Sequence, residues 1–184
     1  CFGKGMGNGL PISAITGPAE FMKRFDDLWV SSTNNPETLS MAGTKAVINE
    51  MKEKNTISHC WEIGTKLFNN WNRITEENNL NIKMIGYPIR MKIECKNSQD
   101  KISESLKALV LQEMVKRGIF FPPGQCFLSY SHSDDDINDT LQKLEQSCQE
   151  IKNKVKDDDY QAHLEGIPPQ IIWTMKMKST KKIK

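Results

Sequence analysis

Gly3, Gly5, Gly7 and Gly9 alternate with Lys4, Met6 and Asn8 at the start of the sequence. Glycine loses more backbone freedom on ordering than any other residue and has no side chain to bury, so this run makes neither a helix nor a regular strand. Residues 1–9 are therefore a loop that can bend sharply and pass close to a bulky flat partner, with one amine, Lys4, displayed along it. Residues 11–16 are short and apolar enough for a buried strand, closed by the Gly17-Pro18 breaker.

Three chemistries could use such a loop. A phosphate-binding P-loop needs its lysine followed by Ser or Thr at the end of the glycine run, and Gly5 follows Lys4 here. The dinucleotide fingerprint needs a strand before the glycines and a helix after them, whereas Pro11 opens a strand-like stretch. A lysine that forms a Schiff base must lose its proton and reach an aldehyde carbon, and flanking glycines leave room for that approach. On these nine residues alone, a flexible loop carrying a solvated lysine is the favoured reading.

Downstream, residues 19–28 read as a short helix with Pro18 near its first turn. Residues 29–35 form a polar loop. A helix over 36–54 is opened by Asn35 as cap and Pro36 at its first position. A second long helix spans 56–78, with Ile57, Trp61, Gly64, Phe68 and Trp71 on one face as core. The Asn78-Asn79 turn marks a domain boundary, giving segments 1–79, 80–156 and a lysine-rich tail, 157–184.

In the middle segment, 82–87 and 89–95 are strands broken at Pro88, and 101–117 is an amphipathic helix ending at Gly118 in a left-handed cap. Short strands follow at 119–121 and 125–129, around Pro122-Pro123-Gly124. Ser133 then caps a last helix while Asp136 bonds back, and Ile137, Leu141, Leu144, Cys148, Ile151 and Val155 form its buried stripe. Strands alternate with helices, so the fold class is α/β.

The net charge of +2 makes no electrostatic demand for nucleic acid, and the terminal lysines 176, 178, 181, 182 and 184 lack an accompanying aromatic or arginine pattern. No apolar run reaches the roughly 20 residues that a membrane helix needs. Five scattered cysteines, Cys1, Cys60, Cys95, Cys126 and Cys148, contain no Cys-x-x-Cys pair; they suit reduced thiols of a cytoplasmic protein and no metal site. A catalytic cysteine paired with His59, His132 or His163 has no local support. A chain opening on Cys1 directly before a glycine loop reads as a fragment whose start lies upstream.

The stretch from Phe2 through Gly3-Lys4-Gly5-Met6-Gly7-Asn8-Gly9 to Leu10-Pro11-Ile12-Ser13-Ala14 resembles the active-site lysine segment of class III aminotransferases, in which Gly-Lys, a glycine-rich run and Pro-Ile-x-Ala follow in order. Ser31-Ser32-Thr33-Asn34-Asn35-Pro36-Glu37 resembles that family's phosphate-contact segment, with Asn35-Pro36 in place of its usual Gly-Asn-Pro or Gly-Gly-Glu forms. A helix start preceded by hydroxyls is also a natural anion site. Lys116 to Ile119 and Ser129 to Ile137 are similar to segments that precede its late strands and its last long helix.

The resemblance, over residues 2–156, implies the C-terminal part of a pyridoxal-phosphate (PLP) transferase of the aspartate aminotransferase-like fold type I: the end of the large domain plus the small α/β domain. It implies PLP held as a Schiff base on Lys4, with Thr33 and Ser32 at the phosphate of a neighbouring subunit in a homodimer. The implied reaction passes an amino group between an amino donor and a carbonyl acceptor. A glutamate-1-semialdehyde-type 2,1-aminomutase is the close alternative, and a non-catalytic module keeping the fold a more distant one. The partners of the PLP ring lie upstream in that family, so these residues alone are expected to be inactive.

Overall fold

The computed structural model describes residues 1–30, 33, 35 and 37–167. The expected contacts of Ser32 and the lysine cluster at 176–184 lie outside the described residues. Two compact units are present, Cys1–His59 and a second from Cys60 onward.

The first unit is built around two helices, α1 (Ala19–Met22) and α2 (Thr38–Glu53). The helix expected over 19–28 is α1 continued by a tighter 3-10 turn, Lys23–Asp27. The strand expected over 11–16 does not form. Only Ala14 pairs, with Phe2, in one antiparallel bridge (Phe2 N to Ala14 O 2.7 Å, Ala14 N to Phe2 O 3.0 Å). A lone bridge supplies no ladder to extend, and Pro11 has no N–H to donate. Among the described residues this unit buries no apolar side chain; Trp29 is 95 % exposed and Leu28, Val30, Phe21 and Phe2 are exposed as well.

The second unit holds the core. Helix α3 (Thr56–Glu77) begins in the first unit, after the left-handed Asn55, and continues into the second. Its buried apolar side chains are Ile63, Leu67, Trp71 and Ile74, an i, i+4, i+8, i+11 stripe. The expected stripe is thus rotated. Gly64 and Trp71 face inward as read, whereas Ile57 and Trp61 are exposed. Packing shows why Gly64 is there: a Cβ at that position would collide with the Pro88 carbonyl, so the helix meets the hairpin turn backbone to backbone. The Asn78-Asn79 turn expected after α3 is present: Asn79 is left-handed and Leu80 N bonds back to Thr75 O at 3.0 Å.

Strands β1 (Ile82–Tyr87) and β2 (Arg90–Cys95) form a hairpin through Pro88 and Ile89, with Tyr87 opposite Arg90. The short β3 (Gln125–Phe127) pairs antiparallel with β2, giving the order β1-β2-β3. Ile82, Met84, Met91, Ile93 and Cys95 point to one face and are buried, as strict alternation requires. On the unpaired edge of β1, the Asn72 amide from α3 takes the place of a missing strand: its Oδ1 accepts from Met84 N at 2.8 Å and its Nδ2 donates to Met84 O at 3.1 Å.

Helices α4 (Glu104–Lys116) and α5 (Asp134–Lys154) cover the buried face. Helix α4 is capped by Ser103 and closes on Gly118 at φ +81°, as the sequence predicts. Helix α5 carries the full capping box between Ser133 and Asp136, and its stripe Ile137, Leu141, Leu144, Cys148 and Ile151 is buried. Residues 119–121 form no strand. Ile119 N is drawn back to Met114 O at 3.0 Å as part of the helix stop, and Phe121 packs edge-on against Trp71 with ring centroids 5.2 Å apart.

Within α4, Glu113 is almost fully buried, with its carboxylate 2.9 Å from Arg117 Nη1 and 3.1 Å from Lys116 Nζ. Burial pushes this carboxyl up, but the hydrogen bonds from Arg117 and Lys116 outweigh it and hold the group below the usual range.

Two expectations follow from this packing. A fragment of residues 55–167 will unfold cooperatively in denaturant by circular dichroism, and a fragment of residues 1–54 will show no such transition, because the apolar core resides entirely in the former. Glu113→Gln will lose about 1–3 kcal/mol at pH 7. Because the folded carboxyl lies below its unfolded value, its stabilisation is present above the unfolded pKa of about 4.3 and disappears as pH falls through the folded value. Urea midpoints of parent and variant will therefore converge as pH falls from the unfolded carboxyl's range through the folded one, and a difference that is constant with pH across the acid range would contradict the assignment.

Candidate functional site

Lys4 sits at φ +52° in a 3-10 turn, Lys4–Met6, a left-handed backbone that is uncommon for a residue with a side chain. The turn is pinned from both sides. Its carbonyl accepts from Gly7 N at 3.0 Å and Asn8 N at 3.2 Å, while the Phe2–Ala14 bridge ties the two ends of the loop together. Gly7 is the one buried glycine of the loop; a Cβ there would stand 2.5 Å from the Leu10 carbonyl and 2.6 Å from Ile12 Cγ2. Leu10 in turn inserts against Gly43 of α2, where any side chain would strike it. The loop is thus clamped through Gly7 and Gly43; within the alternation Gly7 has a packing reason and Gly9, at φ +103°, a conformational one.

Gly5 has open space where a Cβ would be, and the Lys4 side chain is exposed beside it. Among the described residues the Lys4 amine forms no hydrogen bond or ion pair. A reachable primary amine is what covalent capture of a carbonyl requires. These residues fit the anchoring of an aldehyde cofactor.

The phosphate side differs from the sequence reading. Helix α2 starts at Thr38, and its cap is Glu37 rather than Asn35. The Glu37 carboxylate accepts from Leu39 N at 2.8 Å and Ser40 N at 2.7 Å. Those are the donors that a bound anion would use, so the free helix end expected before Pro36 is already filled by a carboxylate. Glutamate is an unusual cap, which is why the sequence pointed to Asn35. Thr33 is exposed, and Ser32 lies outside the described residues. Pro11, Ile12, Ser13, Asn35, Glu37, Ser40 and Met41 line a cavity of about 420 Å³ between the end of the lysine loop and the start of α2. Thr33 and Lys4 are not among its lining residues.

The remaining candidates recede. Burial pushes the Cys95 and Cys148 thiols up to about 12 and also raises Cys60 and Cys126, so these four are poor nucleophiles. His132 Nδ1 lies 3.1 Å from Ser129 N and 3.2 Å from Ser129 Oγ, shaping the turn before α5. Among the described residues no cluster of His, Cys, Asp and Glu could hold a metal ion, and no helix is long and apolar enough to cross a membrane.

The aminotransferase class III family pattern matches residues 1–148. A glutamate-1-semialdehyde 2,1-aminomutase 2 of Staphylococcus saprophyticus is 27% identical over 168 residues, covering 82% of this chain and 38% of the relative. A 3-aminobutyryl-CoA aminotransferase of Cloacimonas acidaminovorans is 24% identical, covering 82% and 37% respectively. The chain thus spans less than two-fifths of the length of these curated relatives. Among solved structures, a β-phenylalanine aminotransferase from Variovorax paradoxus superposes with a TM-score of 0.71 at 20% identity, over 81% of this chain and 37% of that one. An omega-transaminase from Sphaerobacter thermophilus gives 0.66 at 18%, over 78% and 36%. The shared fold, the pinned lysine loop and the family match over residues 1–148 lead to one conclusion: the chain belongs to the class III aminotransferases.

Proposed function

We propose that this chain carries the lysine-bearing part of a PLP-dependent enzyme that transfers an amino group from an amino donor to a carbonyl acceptor. The observation that carries the reading is the exposed Lys4 amine on its clamped, left-handed turn, within a segment that matches the family throughout. In this reading residues 1–79 are the end of the cofactor-binding large domain and 80–156 the small domain of a cytoplasmic homodimer whose site lies at the subunit interface.

When bound, PLP supplies an electron sink for a carbanion at the substrate carbon. Lys4 Nζ would hold the cofactor covalently and, once displaced by the amino donor, return as a free amine placed to carry a proton to and from that carbon. Glycine on both sides leaves this amine room to swing, while the hydrogen bonds from Gly7 and Asn8 keep its backbone in place. The Thr33 hydroxyl, with Ser32, would donate to the phosphate. Glu37 satisfies the backbone of α2, so phosphate affinity rests on those hydroxyls and on other segments, not on the helix end. The ring's partners belong to segments that this chain does not match, and the isolated 184 residues would bind PLP weakly and turn over no substrate.

The aminomutase reading has its own support in the Staphylococcus saprophyticus relative. An aminomutase needs no separate acceptor, so dependence of turnover on an added keto acid, in an enzyme containing this segment, separates the two activities.

Borohydride reduction of a PLP-loaded enzyme containing this segment, followed by peptide mapping, will place the pyridoxyl mass on the peptide containing Lys4 in preference to Lys23, Lys45 and Lys52. Lys4→Arg will lose that mark and leave the weaker background on other lysines. Even labelling of all lysines, unchanged in the variant, would remove Lys4 from the mechanism.

A further inference from the structure

The outward face of the hairpin sheet carries Tyr87, Arg90, Lys92 and Gln125, which line a cavity of about 310 Å³ lying wholly in the second unit. Arg90 and Lys92 are two apart on β2, so both side chains leave the sheet on its exposed face, opposite the buried Met91 and Ile93. The guanidinium is held in one plane. Arg90 Nε donates to Gln125 Oε1 at 2.8 Å, and its Cζ stands 5.8 Å from the centroid of the Phe127 ring. Tyr87, its cross-strand partner, packs edge-on against Trp61 and walls the other side.

Among the described residues neither Arg90 nor Lys92 forms an ion pair with a carboxylate. Glu94, the acid on this face of β2, stands opposite Lys83 in the strand register and does not line the cavity. Lys92 is flanked across the strands by Ile85 and Gln125, which offer it no negative charge. With Nε already committed to Gln125, the two terminal nitrogens of Arg90 remain as a fork beside a second cation. Such a fork matches two oxygens of one oxyanion, and the neighbouring ammonium adds a point charge.

We infer that this cavity is an oxyanion-binding site that takes a carboxylate or a phosphate group, with Arg90 as bidentate donor, Gln125 and Phe127 as its positioning residues and Lys92 as the second cation. The inference stands on the sheet face alone and is independent of the role of Lys4.

The test uses the full 184-residue chain, isotopically labelled, with the Arg90 Nε–Hε signal followed by NMR. Inorganic phosphate and acetate are titrated separately against sodium chloride at constant ionic strength. Saturable shifts are expected with at least one oxyanion and not with chloride. Tighter saturation by phosphate assigns a phosphate-bearing ligand, and tighter saturation by acetate a carboxylate-bearing one. Following the Lys92 and Gln125 amides, Arg90→Lys is expected to weaken binding about tenfold while keeping the charge, because it loses the planar fork. Lys92→Gln is expected to weaken it about threefold, as loss of one partly exposed charge. Both positions lie on the exposed face, and unchanged amide signals of Ile82, Met84 and Trp71, which lie away from the cavity, will show that the sheet is intact. Linear shifts equal to those of chloride, or an Arg90→Lys variant that binds as well as the parent, would overturn the site.

Discussion

The close seating of α3 on the β1–β2 hairpin is the contact on which the rest of the second unit depends. Gly64 removes the side chain that would hold the helix away from the Pro88 carbonyl, and two turns later Trp71 fills the space between helix and sheet. That order matters. With the helix axis held this close, Leu67 and Ile74 reach the core beside Trp71, and Asn72 comes within hydrogen-bonding distance of both backbone groups of Met84. The edge strand is thereby satisfied by a side chain instead of a neighbouring chain. Phe121 then packs edge-on against Trp71, which fixes where the segment after α4 can run and hence where β3 joins the sheet. The Arg90–Gln125 bond on the outer face is a consequence of that last placement.

The lysine loop obeys a different logic. It is held by hydrogen bonds and by two glycine contacts, with no buried apolar side chain around it. Hydrogen bonds at a partly exposed loop are each worth about 0.5–1.5 kcal/mol net, and a left-handed Lys4 gives back about 1–2 kcal/mol of that. The result is a loop with a defined backbone and little reserve. That balance leaves the exposed Lys4 side chain on a backbone with little packing behind it. It also means that the loop's geometry is sensitive to Gly7 and Gly43, which lie away from the amine yet set where it stands.

What could be read from the sequence divides along the same line. The capping box at Ser133-Asp136 and the stop at Gly118 were legible because caps are local: the residues that define them touch each other. The hairpin was legible from alternation on both sides of Pro88. The stripe of α3 was found with a rotation of its face. Ile57 and Trp61 are as apolar as Ile63 and Leu67, and only the sheet, built later in the chain, decides between them. Residues 11–16 and 119–121 carry strand-like composition, yet a strand exists only where a neighbour pairs with it. Phe2 offers a single bridge, and Ile119 is taken by the helix stop.

At the candidate site, the family pattern located Lys4 and the helix that follows, but local chemistry altered the second half. The exchange of glycine for Asn35-Pro36 leaves Glu37 as the residue entering α2, and a glutamate there caps the helix with its own charge. A carboxylate bonded to the first amides of a helix and a phosphate seeking the same amides exclude each other, since both need the same donors and both carry negative charge. The hydroxyl of Thr33 is not subject to that competition, because it donates its own hydrogen. Under the proposed function, an anion near this helix start would be met by side-chain hydroxyls such as that of Thr33, because Glu37 already occupies the first amides of α2.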